Sequence, residues 1–107
     1  MKRGDIVTIA LTGDYGKPRP GLIIQSDLFS ETGSITLLPL TSHLVDAPLI
    51  RIVIDPNESN GLNKTLSIMI DKLHTTSREK IGEILGRLDA KTILEVERAL
   101  AVFIGIA

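Results

Sequence analysis

No cysteine and no tryptophan occur in this 107-residue sequence, and its aromatic residues are Tyr15, Phe29 and Phe103 alone. Without cysteine there is neither a disulfide framework nor a thiolate metal site. With His43 and His74 as the two histidines, a zinc centre would have to lean on carboxylates, so neither a metal nor any other cofactor is expected. Three aromatic rings are too few for the stacking platform of single-strand-binding sheets. Charge of one sign is lacking as well: twelve basic and thirteen acidic side chains leave a net charge of −1. Nothing therefore draws the whole molecule towards nucleic acid, and any such binding has to come from a local basic patch. Long apolar runs are absent too. The longest uncharged segment, 32-TGSITLLPLTSHLV-45, is interrupted by Pro39 and is too short to span a membrane. The N-terminal 1-MKRGDIV-7 turns from two basic residues to Gly4 and Asp5, which is not a signal-peptide pattern. A cytoplasmic protein with no membrane partner is expected.

What is present is a chain that is 43% hydrophobic, enough for one modest core and a single domain over residues 1–107. Short β-rich runs separated by turn residues occupy 6–11, 22–25, 35–40, 49–54, 66–70 and 81–88. In the fourth, Ile50, Ile52 and Ile54 share one face and Arg51 takes the other. The stretch 55-DPNESNGLN-63 is a dense turn cluster, and 76-TSRE-79 matches the capping box of a short helical turn. From Asp89, an N-cap, to about residue 104 the period becomes helical, with Ile93, Val96, Leu100 and Phe103 on one face and Gly105 placed to stop the helix. Leu94, Ala101 and Val102 fall outside that stripe and leave apolar surface for a partner. The pattern predicts a mainly β, α+β domain: a small antiparallel β-barrel carrying one long C-terminal helix.

Three places combine reactive or cationic groups with rigid flanks. In 17-KPRPGLIIQSD-27, Lys17 and Arg19 are each held extended by the proline that follows. In 38-LPLTSH-43, a buried-looking strand ends in Thr41 and Ser42, with His43 next to them. In 67-SIMIDKLHTTSRE-79, Asp71 and Lys72 follow a strand. Were these strand ends to converge, a guanidinium, one or two hydroxyls and a carboxylate would surround a pocket, a set that phosphodiester cleavage can use. Arg19 would neutralise charge building on the phosphate, and Thr41 would hydrogen-bond a phosphate oxygen. Each group has an ordinary alternative. Arg19 can be a surface ion-pair residue, Thr41 and Ser42 a turn or cap pair, and Asp71 a structural carboxylate satisfying loop donors. His43 and His74 can be plain polar residues. Spacing alone leaves both sets of readings open.

Taken in order, 3-RGDIV-7, 19-RPGLIIQSD-27, 38-LPLTS-42, 61-GLNKTLSIMIDKLHT-75 and 84-ILGRLD-89 with the terminal helix resemble the MazF/PemK family of toxins from type II toxin–antitoxin systems. The resemblance runs over nearly the whole chain. It implies an SH3-like barrel with a C-terminal helix, a homodimer, and metal-independent, sequence-selective cleavage of single-stranded RNA, mRNA above all, which stops translation and growth. The chemistry implied is attack of the 2′-hydroxyl on the adjacent phosphate, leaving a 2′,3′-cyclic phosphate and a 5′-hydroxyl. A cognate antitoxin with a flexible acidic tail is the implied protein partner. Residue by residue, Arg19 matches the family's catalytic arginine before a proline, Thr41 its catalytic threonine, and Asp71 an aspartate that some relatives use in catalysis.

The sequence departs from the family in two places. The loop 12-TGDYGKP-18 is short and lacks the glutamate or histidine of many relatives, and Met69 stands where some have an arginine. Because arginine stays protonated, the general base falls to Asp71 or Asp14. Tyr15 is the candidate to stack on a base beside the cut, and Lys17, Ser42, His43, Lys64 and Lys72 complete the expected RNA contacts. Two alternatives carry other functions. CcdB-type gyrase poisons share the fold but rely on a tryptophan near the end of the helix, and this chain ends 103-FIGIA-107 without one. An inactive barrel that only binds antitoxin or RNA would explain the short loop, though not the intact Arg19 and Thr41.

Overall fold

The computed structural model describes residues 1–10 and 17–107, so Asp14 and Tyr15 lie outside the described residues. Seven strands are followed by one helix: β1 Asp5–Ala10, β2 Pro18–Ile23, β3 Ser34–Thr41, β4 Arg51–Ile54, β5 Leu66–Met69, β6 His74–Ser77, β7 Ile81–Arg87 and α1 Ala90–Phe103. Short 3-10 turns at Asp27–Phe29, Ile70–Lys72 and Arg78–Lys80 link some of them. The strands pair antiparallel in the order β4-β5-β3-β2-β1-β7, with β6 also on β3. Among the described residues the ladder has two ends, β4 and β7, so the expected barrel is an open one in its hydrogen bonding.

β3 is the hub because its eight residues serve three neighbours. Ile35 to Leu37 face β6, Leu37 to Pro39 face β2, and Leu40 and Thr41 face Ile68 and Ser67 of β5. β2 is paired with β1 from Pro18 to Leu22 but with β3 only from Gly21 to Ile23. Residues two apart in a strand present their backbone groups to the same edge. Pro18 and Pro20 therefore strip two N–H groups from one edge of β2. Past Pro39 the two strands part.

The central strands bury both faces. Ile6, Leu22, Leu38 and Leu40 join Ile54, Leu66, Ile68 and Ile70 in the larger cluster, and Val7, Ile9, Ile23, Ile35 and Leu37 form a second one on the other side. α1 covers the larger cluster, inserting Val96, which is fully buried, with Ile93, Ala99 and Leu100 packed around it. Asp89 caps the helix: its carboxylate accepts from Thr92 N at 3.0 Å and from Thr92 Oγ1 at 2.8 Å, and these bonds hold its pKa below the ordinary value. Gly105 ends it with φ of 84°. Phe103, expected on the apolar stripe, is instead 47% exposed.

The opening 3-RGD-5 is a structural clasp. The buried carboxylate of Asp5 accepts from Lys2 N at 2.7 Å and from Arg87 Nη1 at 2.7 Å, tying β1 to the end of β7. Arg3 donates through Nε to Ile24 O at 3.1 Å and pairs with Glu97 on α1 at 2.8 Å. The segment 76-TSRE-79 corrects the sequence reading: Thr76 is a buried strand residue paired with Ile35, and the 3-10 turn after it has Ser77 as N-cap without a side-chain cap bond. Cross-strand pairing, including Thr36 Oγ1 to Thr75 Oγ1 at 2.8 Å, overrides the local capping pattern.

The turn cluster before β5 is built around Asn60, which is 1% exposed. Its Oδ1 accepts from Asn57 N and Leu62 N, and its Nδ2 donates to Asp55 O at 2.9 Å. Arg87 N donates to Ser59 O at 2.8 Å, so the loop lies against β7. Gly61 has φ of 69°, and a Cβ there would run into the Leu85 carbonyl. Gly61→Ala is expected to destabilise the fold by about 2–4 kcal/mol, from a strained backbone plus a steric clash. Gly33→Ala, where a Cβ meets nothing within 4 Å, should stay within about 0.5 kcal/mol of wild type. Urea unfolding of the two variants side by side checks both.

Candidate active site

Where β2 and β3 part, a cleft of about 590 Å³ opens, bounded by Arg19 and Pro20, by Thr41 and Ser42, and by Lys64 of the Asn60-centred loop. Its floor is Leu40 and Leu66, and Thr8 and Leu85 close the side towards β1 and β7. The prolines that end the ladder are also its walls: Pro18, Pro20 and Pro39 all line it. Among the described lining residues the charged groups are Arg19 and Lys64, both cations. An anion is the ligand such a surface attracts.

Arg19 sits in β2 opposite Ile9. Its guanidinium carries five donors, enough to hold a phosphate bidentately while keeping a protein contact. Thr41 is the last residue of β3, and its Oγ1 accepts from His43 N at 3.1 Å. That bond fixes the start of the following loop and uses one lone pair of the hydroxyl. The hydroxyl proton remains to be donated.

The remaining residues named from sequence divide. Ser42 and Lys64 line the cleft with Arg19 and Thr41. Lys17 immediately precedes β2 and is exposed next to the cleft without lining it. His43 contributes its backbone N–H to Thr41 and is otherwise exposed. Asp71 and Lys72 lie on the turn Ile70–Lys72 after β5 and are not brought to the cleft. Instead Asp71 receives a two-pronged bond from Arg51, Nε to Oδ1 at 3.0 Å and Nη2 to Oδ2 at 3.2 Å. The Arg51 bond is the main cause that holds the Asp71 carboxyl below its usual value of 3.8, which makes it a weak base. Arg51 was missed as a site-region residue. Its signal was faint: an arginine alternating with Ile50 and Ile52, and in register opposite Met69, which does line the cleft. No cluster of three or more His, Asp or Glu side chains suited to a metal ion occurs among the described residues.

A family model described as the PemK-like, MazF-like toxin of type II toxin–antitoxin systems matches residues 2–104. The chain belongs to this family. It is 49% identical over 108 residues to a probable endoribonuclease MazF of Mycolicibacterium smegmatis, covering 100% of this chain and 99% of that protein. Among solved structures it resembles an endoribonuclease in complex with its cognate antitoxin from a mycobacterial species, with TM-score 0.84, 20% identity and coverage of 100% and 97% of the two chains. It also resembles the Mycobacterium tuberculosis toxin MazF-mt6, with TM-score 0.82, 21% identity and coverage of 96% and 98%. These likenesses bear out the expected fold, a MazF/PemK sheet with a C-terminal helix.

The Arg51–Asp71 pair supplies a pH test in this toxin. A carboxylate with a lowered folded-state pKa stabilises the fold fully above its unfolded value and loses that contribution as pH falls through the folded value. Below about pH 4, wild type should therefore lose stability faster than Asp71→Asn, in which the titrating group is gone. At pH 7, Arg51→Ala should cost about 1.5–3 kcal/mol, the size of a hydrogen bond to a charged partner. Thermal melts of the three proteins from pH 3 to pH 7 measure both effects.

Proposed function

We propose that this toxin is a sequence-selective endoribonuclease that cleaves single-stranded RNA without a metal ion. The observation that carries the reading is the cleft at the β2/β3 divergence, where Arg19, Lys64 and the Thr41 and Ser42 hydroxyls meet with no acid among the described lining residues. A phosphodiester suits those groups. Arg19 stabilises the negative charge that grows on the phosphate as the adjacent 2′-oxygen attacks phosphorus and the bond to the 5′-oxygen breaks. Thr41 donates its proton to a non-bridging oxygen. The products are a 2′,3′-cyclic phosphate and a 5′-hydroxyl, the proton lost from the 2′-hydroxyl being balanced by one gained on the leaving oxygen.

In this reading Asp71 is structural: it orients Arg51 and ties β4 to the turn after β5. Proton removal then rests with Asp14, and Tyr15 is the group that stacks on a neighbouring base. Lys17, His43 and Lys72 guide the strand beyond the cleft, and the loops at 43–48 and 55–65 shape base preference. The Asn60-centred loop is suited to that work because it is pre-formed, so little ordering entropy is lost when RNA binds. The relative solved with its antitoxin supports a cognate antitoxin as partner, and an acidic tail complements the Arg19 and Lys64 charges. Leu94, 45% exposed, and Val102, 54% exposed, offer apolar surface on α1 for a second copy of the chain. The working compartment is the cytoplasm, where RNA is met; among the described residues no helix is long and apolar enough to cross a membrane.

A long mixed-sequence RNA incubated with the toxin in EDTA, with every new 5′ end mapped, tests the proposal. Wild type should cut at a shared short motif, and Arg19→Ala should lose about 100-fold or more in rate, as when a charge-stabilising donor is removed. RNA left intact by wild type, with gyrase–DNA breaks stabilised instead, would overturn the reading.

A further inference from the structure

Ser67 lies in the middle of β5, fully buried, between Leu66 and Ile68 of the larger core cluster. Its Oγ has no hydrogen-bond partner among the described residues. A hydroxyl buried in that state gives up its hydration for no new bond, and alanine would occupy nearly the same space without that cost. An orphan of this kind calls for a use outside the resting molecule. The register supplies one. Ser67 is the direct cross-strand partner of Thr41 on β3 and of Val53 on β4. Directly opposed residues of an antiparallel pair project from the same face with their Cβ atoms about 4.5–5.5 Å apart, within reach of a hydroxyl–hydroxyl bond.

We propose that Ser67 is a positioning residue that donates its unused proton to Thr41 Oγ1 when Thr41 engages the scissile phosphate; this rests on the reading of Thr41 given above. The Thr41 oxygen has two lone pairs and one proton. His43 N–H occupies one lone pair. A proton from Ser67 fills the second, which leaves Thr41 one remaining hydrogen-bonding capacity, its own O–H, directed into the cleft. The chain from Ser67 through Thr41 to phosphate also polarises the Thr41 hydroxyl and makes it a stronger donor as charge builds on the oxygen it faces. Ser67 itself meets no substrate. In the free protein the bond is unmade, as catalytic hydrogen bonds often are before substrate closes them up.

Single-turnover cleavage of a defined RNA, with thermal melting of each protein, tests this with Ser67→Ala, Ser67→Cys and Thr41→Val beside wild type. Ser67→Ala should lower the maximal cleavage rate about tenfold, the effect of one hydrogen bond to a group facing developing charge, with half-saturation within about twofold of wild type. Its melting temperature should equal or exceed that of wild type, because a buried orphan has gone. Ser67→Cys keeps the shape with a weaker donor and should fall between the two. Ser67→Ala cleaving at the wild-type rate while Thr41→Val is impaired would overturn the proposal and leave the role of Thr41 standing. A rate loss that follows a fall in melting temperature or weaker RNA binding would also overturn it, since that is what a packing role gives. Thr41→Val cleaving as wild type does would remove the reading of Thr41 and the Ser67 proposal with it.

Discussion

A strand has two edges, and β3 has three neighbours to satisfy. That constraint organises the molecule. β3 resolves it by changing partner along its length, from β6 and β2 to β5. Pro18 and Pro20 favour the separation of β2 from β3, because each takes a backbone donor from that stretch of the edge. The gap that results is a place where the backbone of β2 offers acceptors but few donors, and Arg19 and Thr41 stand on its two banks.

The surroundings of the gap are held from several directions. The Asn60-centred loop is clasped to β7 through Ser59 and Arg87, and Gly61 and Gly86 allow an approach that any side chain would block. Arg51 and Asp71 lock β4 to the turn after β5 on the side of Met69. Rigid walls suit the proposed reaction, which needs placement of charge more than acid–base strength. Two kinds of polar residue are thereby separated: those that hold the fold together, such as Asn60, Asp5 and Asp71, and those left facing the opening.

Much of this was legible in the residues. Ile50, Ile52 and Ile54 do turn to the core, α1 begins at an Asp89 cap and ends at Gly105, and Arg19 and Thr41, 22 positions apart in the chain, do line one cleft. What escaped has a common physical origin in partners distant along the chain. β6 reads locally as a helical turn because TSRE matches a capping box, and only its pairing with β3 makes it a strand. β2 starts four residues earlier than its apolar run, since prolines look like a loop until one edge proves to need no donors. Asp71 looked available until Arg51, twenty residues away, was seen to occupy both its oxygens. Each is a case of tertiary context outweighing local preference.

The clasp between Asp5 and Arg87 joins residues 82 apart, and β7 is the only described strand partner of β1 on its outer side. Pairings that span so much of a chain form late, because the loop they close is long and its closure entropy must be met before contacts reward it. Leu85, which walls the cleft, and Arg87, which holds the Asn60-centred loop in place, belong to that late strand. During synthesis, then, the segment carrying Arg19 and Thr41 emerges well before the wall that completes their setting. The cleft is therefore complete only once the last quarter of the polypeptide docks, and a translation product that stops short of β7 lacks one of its walls.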